Sequence, residues 1–155
     1  MSELAGIKVG AEIVGLDRIY KLVEDLQKID QNKAIKAGLG KGANIFLRLG
    51  RQNLRARNDE HTGNLLKSMR VRVAKKGLAS YAGFSMVYTR MVTDGYGSHS
   101  WLVDRGTVQR FTKDGRNRGI MPASYFWTDA RREGGAMAIR EIEKGIIDAV
   151  NKLQR

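Results

Sequence analysis

Residues 31–56, QNKAIKAGLGKGANIFLRLGRQNLRA, decide how the whole chain is read. Ile35, Leu39, Ala43, Phe46 and Leu49 recur every three or four positions, so one long amphipathic helix is expected. Its polar positions are strongly basic: Lys33, Lys36, Lys41, Arg48, Arg51 and Arg55. Gly38, Gly40, Gly42 and Gly50 work against a helix, each by up to about 1 kcal/mol relative to alanine. A break near Gly40 is the alternative. Gly38 and Gly42 are four positions apart and therefore share a face, where missing side chains would let another element approach closely.

Moving outward, residues 7–14 alternate loosely and predict a short strand. Leu16, Ile19, Val23 and Leu26 predict an amphipathic helix over 16–28. After the polar break NDEHTG at 58–63, the Thr62 hydroxyl can accept a free amide and cap a short helix over 63–69. Val71 and Val73 alternate with Arg70, Arg72 and Lys75, the pattern of a strand with one buried face. Lys76 and Gly77 make a turn, and 78–92 is strand-like, as one bent strand or two. Residues 101–103 fit a strand or a tight helical turn. Residues 106–120 combine three glycines and four basic residues without apolar periodicity, so an exposed, mobile loop is expected. Pro122 then leads to a helix over 125–153, with Ser124 as N-cap and a kink near Gly134 and Gly135. Its stripe is Ile139, Ile142, Ile146, Val150 and Leu153. The expected architecture is a single α+β domain over residues 1–155. A small, mainly antiparallel sheet is packed by the long basic helix and the C-terminal helix, with the basic loop outside.

Composition narrows the chemistry. The 155 residues are 42% apolar and 28% charged, which suits one globular domain. There is no cysteine, which removes disulfides, thiol nucleophiles and thiolate metal sites. His61 and His99 are the only histidines. No run approaches the about 20 apolar residues that span a bilayer, and the start lacks a signal-peptide layout. An intracellular soluble protein with no membrane contact is expected. The net charge of +12 is concentrated: twelve basic and two acidic residues lie between 33 and 76, and seven and two between 105 and 132. Such blocks attract phosphate backbones or acidic protein surfaces. No aromatic single-strand platform and no zinc finger accompanies them.

Catalytic templates fail in turn. Gly38 to Gly42 resembles part of a phosphate loop but lacks the Lys-Ser/Thr ending. Asp59, Glu60 and His61 are adjacent, and adjacent side chains rarely converge on one metal. Asp94, Ser98, His99, Ser100 and Asp104 flank one loop without a nucleophile-elbow motif. Trp101, Phe126 and Trp127 are expected as core or interface anchors. No catalytic residue, metal ligand or cofactor is assigned.

Three segments occur in order: TGNLLKSM at 62–69, HSWLVDRGT at 99–107 and MPASYFWTDA at 121–130. Together with the basic helix before them, they resemble the tail-completion, or head–tail connector, proteins of long-tailed phages and prophages, over roughly residues 14–153. The matching motif positions are Thr62, Gly63, Leu65, Ser68, Gly106, Thr107, Pro122 and Phe126. Asp104 stands where the family more often has glutamate. The resemblance implies a non-enzymatic structural protein of the virion, assembled in the host cytoplasm. It implies a ring, commonly a hexamer, that joins a head connector or stopper to the tail tube protein, with DNA passing through it. The free subunit can be a monomer. Candidate interface residues are Lys33, Lys36, Arg48, Arg51 and Arg55 on the helix and Arg105, Arg110, Lys113, Arg116 and Arg118 around the loop. The helix face is expected to meet an acidic neighbour in preference to lining the DNA channel. The alternatives are a non-specific nucleic-acid-binding module and a small hydrolase built on the His99 loop.

Overall fold

The computed structural model describes residues 21, 23, 24, 27–57, 63–84 and 99–154. Their elements run α1 (Lys28–Arg57), α2 (Asn64–Ser68), β1 (Met69–Val73), β2 (Ser80–Phe84), α3 (Ser100–Arg105), β3 (Arg110–Phe111), β4 (Asn117–Gly119) and α4 (Phe126–Leu153). The architecture is the expected mixture of α and β. Two long helices pack against a small antiparallel sheet.

The helix expected over 31–56 is α1, 30 residues without a break at Gly40. It lies antiparallel to α4, with Ala34 packed near Val150, Gly38 near Ile146, Gly134 near Phe46 and Gly50 near Trp127. Glycine is the reason the backbones can meet. A Cβ on Gly38 would sit 2.5 Å from Ile146 Cγ1 and 2.6 Å from the Ile142 carbonyl oxygen. One on Gly145 would sit 2.8 Å from the Gly38 Cα. The glycines that weaken the helix in isolation therefore form its tightest contact, and tertiary packing overrides propensity. This also corrects the buried stripe. Of Ile35, Leu39, Ala43, Phe46 and Leu49, only Ala43 is fully buried. The most buried positions of α1 are Ala34, Gly38, Gly42, Ala43, Ile45, Gly50 and Leu54, because the small residues face α4 at the closest approach.

Two apolar clusters hold the ends of this pair. Val23, Ala34, Ile146 and Val150 close one, and Leu54, Leu65, Met69 and Phe126 close the other. In the second, Phe84 meets Phe126 edge-on at 5.9 Å and Trp127 at 5.0 Å between ring centres. Such aromatic pairs add about 0.5–1.5 kcal/mol each beyond the area they bury. Strands β1 and β2 pair antiparallel in the register Met69 to Phe84 through Val73 to Ser80, and lie against α1.

Several boundaries differ from expectation. The short helix is Asn64–Ser68, and Met69 belongs to β1. Its first boundary is Gly63 at φ 65°, with no side-chain cap, while Thr62 lies outside the described residues. Of the 78–92 segment, Ser80–Phe84 is strand and 85–92 lies outside the described residues. The 7–14 strand lies outside them too; of the 16–28 helix Lys21, Val23 and Glu24 are helical, Gln27 is not, and Lys28 already opens α1. Residues 101–103 form a helical turn within α3. Ser124 does not cap α4: Tyr125 occupies that position at φ 51°, and the Ser124 hydroxyl donates to the Val103 carbonyl instead. Helix α4 runs uninterrupted through Gly134, which is buried against Phe46 and Leu49.

The segment 106–120 is exposed as expected but is a β-hairpin and not an irregular loop. Strands β3 and β4 pair antiparallel with a bulge between Arg110 and Phe111. Polar turn chemistry shapes the tip. The Arg116 amide donates to Thr112 Oγ1 and the Gly115 amide to the Thr112 carbonyl. Asn117 Oδ1 accepts from the Gly119 amide and from the Gln109 side chain. The root is closed by a reciprocal pair: the Thr107 amide donates to the Met121 carbonyl at 2.9 Å, and the Met121 amide donates to Thr107 Oγ1 at 3.0 Å.

Candidate functional site

The last two sequence motifs interlock at the start of α4. The first amides of a helix have no partner within it. Here they are met from a distant segment. Asp104 Oδ1 accepts from the Trp127 amide at 2.8 Å and the Thr128 amide at 3.0 Å, and Oδ2 accepts from Thr128 Oγ1 at 2.6 Å. Asp104 is only 6% exposed, and its negative charge suits the positive end of a helix dipole. The backbones pair alongside, with Ser124 donating to the Val103 carbonyl and Tyr125 to the Asp104 carbonyl. Gly106 adopts φ 74°, and a Cβ there would lie 2.7 Å from both the Ala123 nitrogen and the Met121 oxygen. The first motif packs beneath: Leu65 and Met69 share a cluster with the fully buried Phe126, and the Ser68 hydroxyl donates to the Leu65 carbonyl. Pro122 stays exposed on the connecting segment.

This arrangement commits both Asp104 oxygens to α4, away from any role beside His99. Asp94 and Ser98 lie outside the described residues, as do Asp59, Glu60 and His61. Gly38 to Gly42 lies inside α1, with Gly38 and Gly42 buried, so it is no phosphate loop. Among the described residues no group of His, Asp and Glu is placed to hold a metal ion, and no helix is long and apolar enough to cross a membrane.

The basic face of α1 divides into spent and free cations. Lys36 Nζ donates to the Lys75 carbonyl and Arg51 to the Met69 carbonyl, both at 2.8 Å, so these two tie the helix to the β1–β2 hairpin. Lys33 pairs with Asp30. Lys41 bridges to Asp148 of α4 at 2.7 Å, and this hydrogen bond is the main reason the Asp148 carboxyl lies below its ordinary value. Arg57, which periodicity did not single out, joins Asp129 and the Ser124 carbonyl. Arg48 and Arg55 remain exposed and line an open groove with Lys41, Asn44, Arg51, Gln52 and Glu141.

A second surface is the hairpin end. Arg105, Lys113, Arg116 and Arg118 are exposed and Arg110 is half-buried. The reading by charge alone missed the apolar residues among them. Val108 is 83% exposed, Phe111 62% and Ile120 64%. Trp101 and Tyr125 add two exposed rings from the neighbouring elements. Large exposed apolar side chains concentrated on a protruding element are the composition of a protein-contact surface. No protein-family model, no curated protein and no solved structure matches the chain.

Proposed function

We propose that the chain is a structural subunit of a phage virion, a ring-forming protein at the head–tail junction that completes the tail and joins it to the head connector. The observation that carries this reading is the interlocking of the three motifs. Residues 64–69, 99–107 and 121–130 are distant in sequence, yet they pack as one unit from which the hairpin projects. A ring subunit needs contact surfaces and no catalytic cleft. The hairpin, with Val108, Phe111 and Ile120 among its arginines, supplies such a surface for the next copy or for a tail component. Its partners in this reading are further copies of itself, the head connector or stopper and the tail tube protein.

The test is to purify particles from the phage or prophage that carries the gene and label them with an antibody to this chain. Label at the neck, at a copy number consistent with a single ring, is expected. Absence of the chain from purified particles overturns the reading. The groove of Arg48 and Arg55 favours a second reading, a non-specific nucleic-acid-binding module. That module would be missing from particles while binding DNA as a small species.

A further inference from the structure

We infer that the groove along the outer face of α1 binds the phosphate backbone of double-stranded DNA without regard to sequence. The inference deepens the assembly reading, on which it rests only for the source of the duplex. Positions 41, 48 and 55 are seven apart, close to two helical turns, so Lys41, Arg48 and Arg55 share one side of α1, with Arg51 at its edge. Arg48 and Arg55 are separated by about 10 Å along the axis. Between Gln31 and Arg57 the helix has no acidic residue; from α4, Glu141 lines the groove and Asp148 pairs with Lys41, so among the described residues Arg48 and Arg55 are its unpaired cations. Arg51 is pinned through one nitrogen to the Met69 carbonyl, which leaves its remaining donors held in place.

The chemistry favours nucleic acid over an acidic protein. A protein interface needs an apolar centre, whereas a protein–DNA interface is polar and strongly positive. Within α1, Ile29 at its first turn is the one large apolar side chain that is exposed, and it lies well away from the groove. The residues lining the groove offer guanidinium forks, which match phosphate oxygens in pairs. The most exposed apolar side chains of the described residues cluster instead around the β3–β4 hairpin, with others on β1, β2 and α4, so the two basic surfaces differ in kind. On charge alone the α1 face suits an acidic neighbour. Ile45 and Leu47 line the groove but are buried or half-buried, so its exposed rim is polar and basic and points to DNA. Among the described residues no aromatic side chain lines the groove, which disfavours a single strand that would stack its bases. Phosphate contacts carry no base information, so binding is independent of sequence.

The test is fluorescence anisotropy of the purified full chain with two short duplexes of unrelated sequence, titrated over a range of salt. Equal affinity for both is expected, falling steeply with salt. R48Q with R55Q should weaken binding about tenfold at low salt and flatten the slope of log affinity against log salt by about 0.9 for each arginine removed. K113Q with R118Q on the hairpin should change it much less. Both variants alter exposed side chains, and an unchanged thermal midpoint verifies their fold. The inference is overturned if the α1 variant binds like the parent, or if the hairpin variant loses as much. It is overturned equally if poly-glutamate of matched charge competes as well as duplex, since the groove would then be an acidic-protein site. Neck labelling of particles is read separately, so a subunit found at the neck that fails to bind duplex refutes this inference and leaves the assembly reading standing.

Discussion

Replacing Asp104 with alanine removes a cap supplied from outside the helix it serves. The carboxylate accepts two amides and one hydroxyl at 2.6–3.0 Å, and it is almost fully buried. Losing an ordinary N-cap costs about 0.5–2 kcal/mol. A hydrogen bond to a charged group is worth about 1.5–3 kcal/mol net, and a donor left buried without a partner carries a further penalty. The three bonds share one acceptor group and do not add, so the expected loss is about 2–4 kcal/mol. For a chain of this length that lowers the thermal midpoint by about 4–16 °C. Asp104→Asn keeps an oxygen for the amides and loses the charge, and should cost about 1–2 kcal/mol. Thr128→Ala removes only the hydroxyl and should cost about 1 kcal/mol. Circular-dichroism melts and urea titrations of the three variants give the ranking. An Asp104→Ala protein within about 0.5 kcal/mol of the parent would refute the capping argument, whatever the other two variants did.

Gly145→Ala places a methyl 2.8 Å from the Gly38 Cα, so the helices must part, at an expected cost of about 1–3 kcal/mol by urea denaturation; an unchanged midpoint would mean the seam is looser than described. Limited trypsin digestion, read by mass spectrometry, should cut the described residues first at Lys113, Arg116 or Arg118 on the hairpin, since that tip is held by a few local bonds alone. First cleavage within 139–153 contradicts this. The Asp148 carboxyl is held low by Lys41, so the pair stabilises the fold at neutral pH. That contribution is lost as pH falls through the ordinary carboxylate range and then through the lowered folded value. An NMR titration should show the Asp148 midpoint rising in Lys41→Met, and equal midpoints in the two proteins would remove Lys41 as the cause.

The long helices were legible because their apolar periodicity extends over many turns. The same periodicity misplaced the buried line of α1. Hydrophobicity marks Ile35, Leu39 and Leu49, whereas the closest contact belongs to Gly38, Gly42 and Gly145, whose value lies in what they lack. The spacing of Gly38 and Gly42 did hint at that approach. The β3–β4 hairpin escaped because strands of two and three residues carry no alternation. Its available signal was the polar turn set of Thr112, Gly115 and Asn117. Asp104 as a cap was invisible to local rules, since its amide partners lie more than twenty positions away. The basic face of α1 was legible from Lys33 to Arg55, but neither the role of Arg57 nor the division into anchored and free cations was. Lys36, Arg51 and Arg57 are engaged by carbonyls that only the folded chain brings near.

The closure at the root of the hairpin separates its length from the rest of the molecule. The chain leaves and re-enters the body through the reciprocal Thr107–Met121 bonds, beside a glycine whose backbone leaves no room for variation. Entry and exit points are therefore fixed by residues outside the projection itself. Extending a loop between fixed ends costs little, about 0.6 kcal/mol for each doubling. Residues 108–120 thus form a cassette: reach, charge and apolar content can change there while the helix pair, its glycine seam and the cap on α4 stay as they are.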